Sequence, residues 1–487
     1  MTAEPSAPVR RLLGGGAFVL AADALQLPSA ILLGAYLSRR LGVEELGKYL
    51  FAASLVTALE LVVAQLFSRA TVQLVAERAQ WEPIASLVLR WHVGISLGLT
   101  ALATLALLPF AAPFGVEGLR ELLLVFALEV PLFSLARSHT HVLVGLGRFR
   151  ARALASAVRW ISRLALAVVL VEAGLGVHGA ALAAVGSTAL ELAVARGFVQ
   201  PRWRLPAPAG LGRRLFRFSA PLFLHGLALQ LYHRLGMLVL VPFGATVAAA
   251  GLYGAAESLM RLRRILGQSL TPLVLSSLAQ LERDGAPDEA RALARNALRC
   301  TLFSVPPVAA ISGAAAPLMA WIFGADFRAG GPLLALLIWG APAFLVISVA
   351  TAVLVAGGRP EATLRLTLPM VPVALAGYAL AVPRWGSLGA ALVTSTVVVA
   401  IAIACLLAVR SLWGVAPPLT TLLRAAGIGA LAFLGARALP LEGTWLLVEL
   451  PLLVALGWGA FLALGEASRD ELDTVRRWLA RSPELRP

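Results

Sequence analysis

The sequence predicts an all-α polytopic membrane protein of about 14 transmembrane helices: two six-helix lobes related by a parallel repeat, plus two extra helices. Three observations predict it. The 487 residues are 59% hydrophobic and 14% charged with a mean hydropathy of +0.84, whereas a soluble chain is about 45–50% apolar and about 25% charged. The apolar residues fall in long uninterrupted runs. The cations gather in alternate connections between those runs. The two cysteines, Cys300 and Cys405, exclude a disulfide scaffold, and continuous runs exclude the ten-residue alternation of a β-barrel.

A bilayer core takes about 20 residues of apolar helix. Runs of that kind lie near 12–37, 48–68, 86–110, 119–142, 153–173, 177–197, 217–242, 247–274, 300–323, 332–356, 363–382, 387–409, 419–437 and 444–464, numbered here as spans 1 to 14. Span 1 is too long for a signal-peptide core and no small-residue cleavage site follows it, so it is expected to remain as an anchor. The connections are too short for a soluble domain.

Arginine placement orients the spans. Arg10 and Arg11 precede span 1, and Arg148, Arg150 and Arg152 follow span 4. Arg196, Arg202, Arg204, Arg213, Arg214 and Arg217 follow span 6, and the tail adds Arg469, Arg476, Arg477, Arg481 and Arg486. Connections of the other parity are cation-poor, except for Arg39, Arg40 and Lys48 beside Glu44 and Glu45. Both termini are therefore expected in the cytoplasm, in a bacterial plasma (inner) membrane. The net charge of +15 is largely this topology, and it points away from nucleic acid as a partner. Two amphipathic stretches on the inner side, 287–299 and 467–481, read as helices on the membrane surface, with a regulatory partner site as the other option.

Two short matches indicate an internal duplication. Gly47-Lys-Tyr49 through Leu55 matches Gly251-Leu-Tyr253 through Leu259 at the entrances to spans 2 and 8. HVLVGLGR at 141–148 matches AVLVAGGR at 352–359 at the exits of spans 4 and 10. Six spans per repeat keeps both halves in one orientation, as in two-lobed transporters. The expected division is 1–210 (spans 1–6), 211–412 (spans 7–12) and 413–487 (spans 13–14 with the amphipathic tail).

Ionisable side chains at membrane depth are costly and face a cavity or a partner. Spans 1–8 carry Asp23, Glu60, Glu129, Arg137, Arg159, Arg163, Glu191, Arg234, Glu257, Arg261, Arg263 and Arg264; in spans 9–14 Glu449 is the main candidate. At 100° per residue Arg159 and Arg163 share a stripe of span 5 with Arg148 and Arg152, and Glu257, Arg261, Arg264 and Gln268 share one on span 8. Arg137 with His141 on span 4, and Gln230 with Arg234 on span 7, stand at i, i+4. Arg148 and Arg152 read as interfacial, and Arg263 as interfacial or packed on a neighbour. For the deeper arginines two readings stay open, the lining of a polar cavity or structural ion pairs between helices. Of these membrane-depth residues, seven arginines in spans 4, 5, 7 and 8 outnumber two acids. A cavity they line favours an anion, above all a phosphate or pyrophosphate that accepts bidentate bonds. No His/Cys/Asp/Glu set has metal spacing, and no cofactor is indicated.

The residues then resemble a known family. SRRLGVEELGKYLFAASLV at 38–56 is similar to the first-loop signature of the oligosaccharide-lipid flippases, the Wzx-type polysaccharide exporters within the multidrug/oligosaccharidyl-lipid/polysaccharide exporter superfamily. Arg39, Gly42, Gly47 and Tyr49 occupy its motif positions, and Leu46 replaces an aromatic. FRFSAPLF at 216–223, AGLYGAAESL at 250–259 and FGADFRAGGPLLALL at 323–337 resemble the family's entrances to spans 7, 8 and 10. One departure is His233-Arg234, where members often carry an Asp. The resemblance implies a V-shaped, two-lobed transporter, not an enzyme, with a central cationic cavity. It would carry an undecaprenyl-pyrophosphate-linked oligosaccharide, an O-antigen or exopolysaccharide repeat unit, to the outer leaflet by alternating access. Its expected cavity residues are Arg39, Arg137, Arg159, Arg163, Arg234, Arg261, Arg264 and Gln268. Candidates for H⁺ or Na⁺ coupling are Asp23, Glu60 and Glu257. Expected partners are the lipid-linked oligosaccharide, the membrane, and a polysaccharide polymerase and glycosyltransferases of the same pathway. An ion-coupled multidrug exporter or a peptidoglycan-precursor flippase is the alternative, and a membrane polymerase or ligase is disfavoured by the lack of a sizeable outer loop.

Overall fold

Hydrophobic runs with short connections can satisfy their backbone in hydrocarbon only as helices, and helices are what the chain forms. The computed structural model describes residues 22–466 other than 23, 78–79, 112–117, 204, 209 and 440. Within helices, the side chains of 65, 66, 69, 106–111, 214, 217–229, 261–270, 272 and 360 are not described. Among the described residues, seven helices are individually long and apolar enough to cross a bilayer. Three of them, Gln26–Ala64, Phe149–Phe198 and Glu361–Trp413, each hold two predicted spans folded as a hairpin. Spans 3, 10, 13 and 14 are Glu82–Leu105, Ala325–Ala356, Leu419–Ala438 and Gly443–Ala463. Span 7 is Leu211–Leu240; spans 4, 8 and 9 are each interrupted.

The hairpins turn at glycines. In the first, Gly42 adopts φ 75°, a region nearly closed to residues with a Cβ, and this lets spans 1 and 2 reverse without a loop. Gly386 does the same between spans 11 and 12 at φ 54°. Interruptions within spans 4, 9, 10 and 11 go with prolines instead. A proline has no N–H and its ring meets the carbonyl four residues earlier. Pro131 lies three residues past the break at Leu128 in span 4. Pro317 lies three past Ala314, where span 9 bends by 72°. Pro342 follows the turn at 338–339 and Pro372 the turn at 368–369.

Span 9 also settles the first amphipathic stretch. Helix Pro287–Thr301 runs through a 3-10 turn, Leu302–Ser304, into Val305–Gly313. It buries Ala290, Ala294, Leu298 and Thr301 and packs on span 10. Its apolar face is thus covered by protein, and the expectation of a helix lying on lipid is corrected. The stretch 467–481 lies outside the described residues.

The duplication has a structural counterpart. After span 4, Gly147 takes φ 69°, Arg148 N–H donates to the Leu143 carbonyl at 2.8 Å and Gly147 N–H to Val144 at 3.0 Å. After span 10, Gly358 takes φ 72°, Arg359 N–H donates to Leu354 at 3.0 Å and Gly358 N–H to Val355 at 3.0 Å. These are the same Schellman cap on matched residues. The first match, at Gly47 and Gly251, is a helix crossing: a Cβ on Gly47 would lie 2.1 Å from the Val247 carbonyl oxygen.

Residues up to Arg261 with Thr367–Val393 form one compact unit, and Leu262–Leu366 with Thr394 onward form another. These boundaries differ from the repeat boundaries at 210 and 412, because the first half of span 8 packs on span 2. In the first unit, Arg40 of the 1–2 turn pairs with Glu172 near the 5–6 turn. At the other end Arg148, after span 4, donates to the Phe198 carbonyl, after span 6, at 2.7 Å. In the second unit Arg328 of the 9–10 connection meets Glu442 of the 13–14 connection at 2.8 Å, and Arg424 of span 13 meets Glu466 after span 14 at 2.6 Å. Connections of like parity are tied together, as alternating spans require.

Spans 13 and 14 are clamped to span 9 by close approach at small residues. A Cβ at Gly313 would sit 2.4 Å from the Phe433 carbonyl oxygen, and one at Gly457 2.7 Å from Pro306 Cβ. Their outward leucines, Leu423, Leu431, Leu447 and Leu456, are exposed as a surface for hydrocarbon. Gly313→Val is expected to cost at least about 1–3 kcal/mol through overpacking, read as a lower thermal midpoint of purified protein. Gly427→Ala, with open space around it, is expected to change the midpoint little.

Candidate functional site

Spans 4, 5 and 6 of the first unit, each broken or hairpin-forming, bring five charged side chains together, and span 2 adds Tyr49 and Glu60. The proline break in span 4 starts a new helix, Glu129–Gly145, with Glu129 in its first turn, where free backbone N–H groups favour a negative charge. Arg137 follows two turns later on the same helix. Arg159 and Arg163 lie one turn apart on span 5, and Glu191 and Thr188 lie one turn apart on span 6. The tight 5–6 hairpin makes the two partners adjacent: Ala180, Ala181, Ala183 and Ala184 are fully buried, and only small side chains allow that approach.

Arg159 is the centre of the cluster. Its Nη2 lies 3.3 Å from Glu129 Oε1 and its Nη1 3.4 Å from Glu191 Oε2. Arg137 Nη2 donates to Glu191 Oε1 at 3.0 Å. Arg163 Nη1 stands 3.9 Å from Glu129 Oε1, and its Nη2 donates to the Tyr49 hydroxyl of span 2 at 3.2 Å. Thr188 donates a further bond to Glu129 Oε1 at 3.0 Å. The Phe133 ring carries two guanidiniums, Arg137 at 4.9 Å and Arg159 at 4.8 Å from its centroid. Exposure separates the three: the side chain of Arg159 is 6% exposed, those of Arg163 and Arg137 17% and 22%. Arg159 is enclosed, while the other two present an edge.

Three guanidiniums face two paired carboxylates, so the paired set carries one excess positive charge. Glu60 of span 2, 6% exposed, stands within electrostatic reach of Glu129, Arg159, Arg163 and Arg137, and its Oε1 is buried without a hydrogen bond. Arg137 Nε and Arg159 Nε are likewise buried donors without a partner.

The structure therefore gathers Arg137, Arg159, Arg163 and Glu60. Arg39 is exposed three residues before the Gly42 turn. Arg234 is half-buried on span 7 and Glu257 half-buried one turn before span 8 breaks at Met260. The side chains of Arg261, Arg264 and Gln268 lie outside those described, as does Asp23. Sequence reasoning missed the roles of Glu191 and Thr188. The comparison of arginines with acids covered spans 4, 5, 7 and 8, and the decisive acid is on span 6. A signal was present in Glu191 itself, a glutamate in the middle of an alanine-rich span. In the second unit, Glu449 of span 14 is buried with no hydrogen bond to either oxygen. Among the described residues, no group of three or more His, Cys, Asp or Glu could hold a metal ion.

Removing one member of a buried ion pair strands the other. Glu191→Gln leaves Arg137 and Arg159 without their shared carboxylate and is expected to destabilise the protein by about 3–5 kcal/mol. Glu172→Gln at the exposed Arg40 pair is expected to cost under about 1 kcal/mol. Thermal midpoints of the two purified variants check the difference; equal midpoints would contradict the structural role of Glu191.

The fold has solved relatives. It superposes on a lipid II flippase, MurJ, in an inward closed conformation, with a TM-score of 0.76 at 16% identity, covering 93% of this chain and 98% of that one. It also superposes on an inward-facing multidrug resistance MATE family transporter of the MOP superfamily (TM-score 0.61, 16% identity, 82% and 94% coverage). A third match is a MOP superfamily transporter from Pyrococcus furiosus (0.53, 16%, 83% and 95%). No curated protein matches the sequence. The family model described as "Polysaccharide biosynthesis protein" matches residues 36–329. The chain belongs to that polysaccharide biosynthesis family, and it has the fold of these MurJ and MATE transporters.

Proposed function

We propose that the protein flips a polyprenyl-pyrophosphate-linked oligosaccharide, an O-antigen or exopolysaccharide repeat unit, from the inner to the outer leaflet by alternating access. The observation that carries this reading is the buried cluster of three guanidiniums on two paired carboxylates, net positive when Glu60 holds a proton, with the edges of Arg137 and Arg163 open. A pyrophosphate accepts charge-assisted bonds from such edges, whereas a cationic drug requires an excess of carboxylates. Arg159, held by two glutamates, supports the other two rather than touching substrate. The likeness to a lipid II flippase favours a second reading within the same chemistry, a lipid-linked peptidoglycan precursor.

In this reading the protein sits in the bacterial inner membrane with both termini cytoplasmic, beside the polymerase and glycosyltransferases that use and make its cargo. The parity of the tied connections and the arginine-rich inner loops support that orientation. Glu60, a buried carboxyl with an unbonded oxygen inside the cluster, is the preferred H⁺ or Na⁺ coupling residue over Glu257. Deleting the gene is expected to accumulate lipid-linked repeat units on the cytoplasmic face and to remove surface polysaccharide; unchanged polysaccharide would sink the reading. Restoring the gene as Arg163→Gln is expected to lower export about 10- to 100-fold, the worth of one or two bonds to a charged group. Glu129 keeps Arg159 and Thr188 in that variant, so its folding is preserved.

A further inference from the structure

A second set of buried polar atoms without hydrogen bonds lies in the first unit, on the inner side of the ion pairs in the orientation proposed above. Thr71 Oγ1, His92 Nε2, Ser138 Oγ and His141 Nδ1 belong to it, with Arg137 Nε at its edge. Three elements that pack on one another carry them: the helix Ser68–Glu77 of the 2–3 connection, span 3, and the second helix of span 4, Glu129–Gly145. On that last helix Ser134, Arg137, Ser138 and His141 fall within about 100° of one another, and Gly145 continues the stripe. Gly145 touches the connection, where its Cβ would lie 2.7 Å from Val75 Cβ and 3.0 Å from the Val72 carbonyl oxygen. Ser134, at the other end, meets His92. The stripe thus runs about 16 Å, roughly half a hydrocarbon core, from the inner connection to the level of Arg137.

The contacts of His92 fix its tautomer. Ser134 Oγ gives its one proton to the His92 carbonyl at 3.0 Å. Its 3.1 Å contact with His92 Nδ1 then requires the proton on Nδ1. Nε2 of the neutral ring is left as a bare acceptor, in a residue 1% exposed, with the Phe67 ring 5.9 Å away on one side. Thr71 and Ser138 are fully enclosed. Dry, each such atom forfeits its solvation; buried polar groups of this kind are met by ordered water.

The seam has two ends. His141 is half-buried at the inner one, and the titratable and charged groups within its electrostatic reach are His92, Arg137 and Arg152 of span 5. Arg137, at the other end, stands within reach of Glu60. Hydroxyls, imidazoles and guanidiniums are a poor set for Na⁺, which as a hard cation takes carboxylate and carbonyl oxygens. A proton needs no such cage, since it passes between waters and a bare imidazole nitrogen.

We propose that this seam is a water-filled proton inlet from the cytoplasm to Glu60, with His92 Nε2 as its relay base, so that the coupling ion is H⁺. The step is proton transfer alone. Nε2 takes a proton from water on its inner side and returns it to water on the Glu60 side; a Glu60 carboxylate oxygen accepts it and becomes a neutral carboxyl. Release reverses the sequence. The proposal rests on the flippase reading only for its orientation and for the role of Glu60.

The test uses full-length protein in membrane vesicles, with Cys300→Ser and Cys405→Ala as background. Single Thr71→Cys and Ser138→Cys meet a membrane-impermeant methanethiosulfonate from the cytoplasmic side. Leu143→Cys, equally buried on the opposite face of the same helix, is the dry control. Both seam cysteines are expected to react at least about tenfold faster than the control, because a thiol in apolar surroundings ionises poorly. Equal rates, or reaction from the outer side only, would overturn the inlet. Proton access is read separately from the infrared C=O stretch of protonated Glu60 in purified protein at acidic pH, identified by its loss in Glu60→Gln. Mixing with D₂O is expected to shift the band. His92→Asn, which keeps a donor for Ser134 and removes the bare nitrogen, is expected to slow that shift about 100-fold, the worth of one proton-transfer group. An unchanged rate, or no such band at any pH, would overturn the relay. Neither measurement needs cargo: if both turn out as expected while gene deletion leaves polysaccharide intact, the flippase reading fails and the inlet stands.

Discussion

Arg159 cannot be buried at the middle of a membrane unless its charge is met, and the first unit is organised around meeting it. The desolvation of a guanidinium is offset only by near-contact with opposite charge and well-aligned hydrogen bonds. Glu129 and Glu191 supply that from spans 4 and 6, on either side of span 5. Three features follow: the proline break that starts a helix at Glu129, the alanine-lined 5–6 hairpin that brings Glu191 close, and Phe133 as a shared platform for two guanidiniums. The cluster is thus structural at its centre and chemically open at its edges.

That division reconciles the two readings the sequence leaves open for the deep arginines. Arg159 is an inter-helix ion pair. Arg137 and Arg163 pair as well, yet each keeps an accessible side. An anion would compete with Glu129 and Glu191 for them rather than enter a bare cationic cavity. Such a site binds without holding its cargo irreversibly, which suits a carrier that must release.

The fold was legible because its causes are local. Span positions follow from apolar runs, hairpin reversals from Gly42 and Gly386, and interruptions from Pro131, Pro317, Pro342 and Pro372, all visible one residue at a time. The repeat was legible in two short matches, and the cap at Gly147 and Gly358 shows why those residues recur. The site was only half legible. The stripe of Arg159 and Arg163 is a helical-spacing property, but their partnership with Glu191 depends on which helices neighbour each other. The same limit misled the reading of 287–299, where the amphipathic pattern was right and the covering surface was span 10 rather than lipid.

The central claim is that the open guanidinium edges of Arg137 and Arg163 in this cluster recognise a pyrophosphate head group. Purified protein in liposomes, offered a fluorescent polyprenyl-pyrophosphate-linked disaccharide and the same disaccharide on a neutral polyprenyl ether, tests it most directly. The account predicts translocation of the charged lipid and little of the neutral one. Equal rates for both, or transport of small organic cations in place of either, would contradict it.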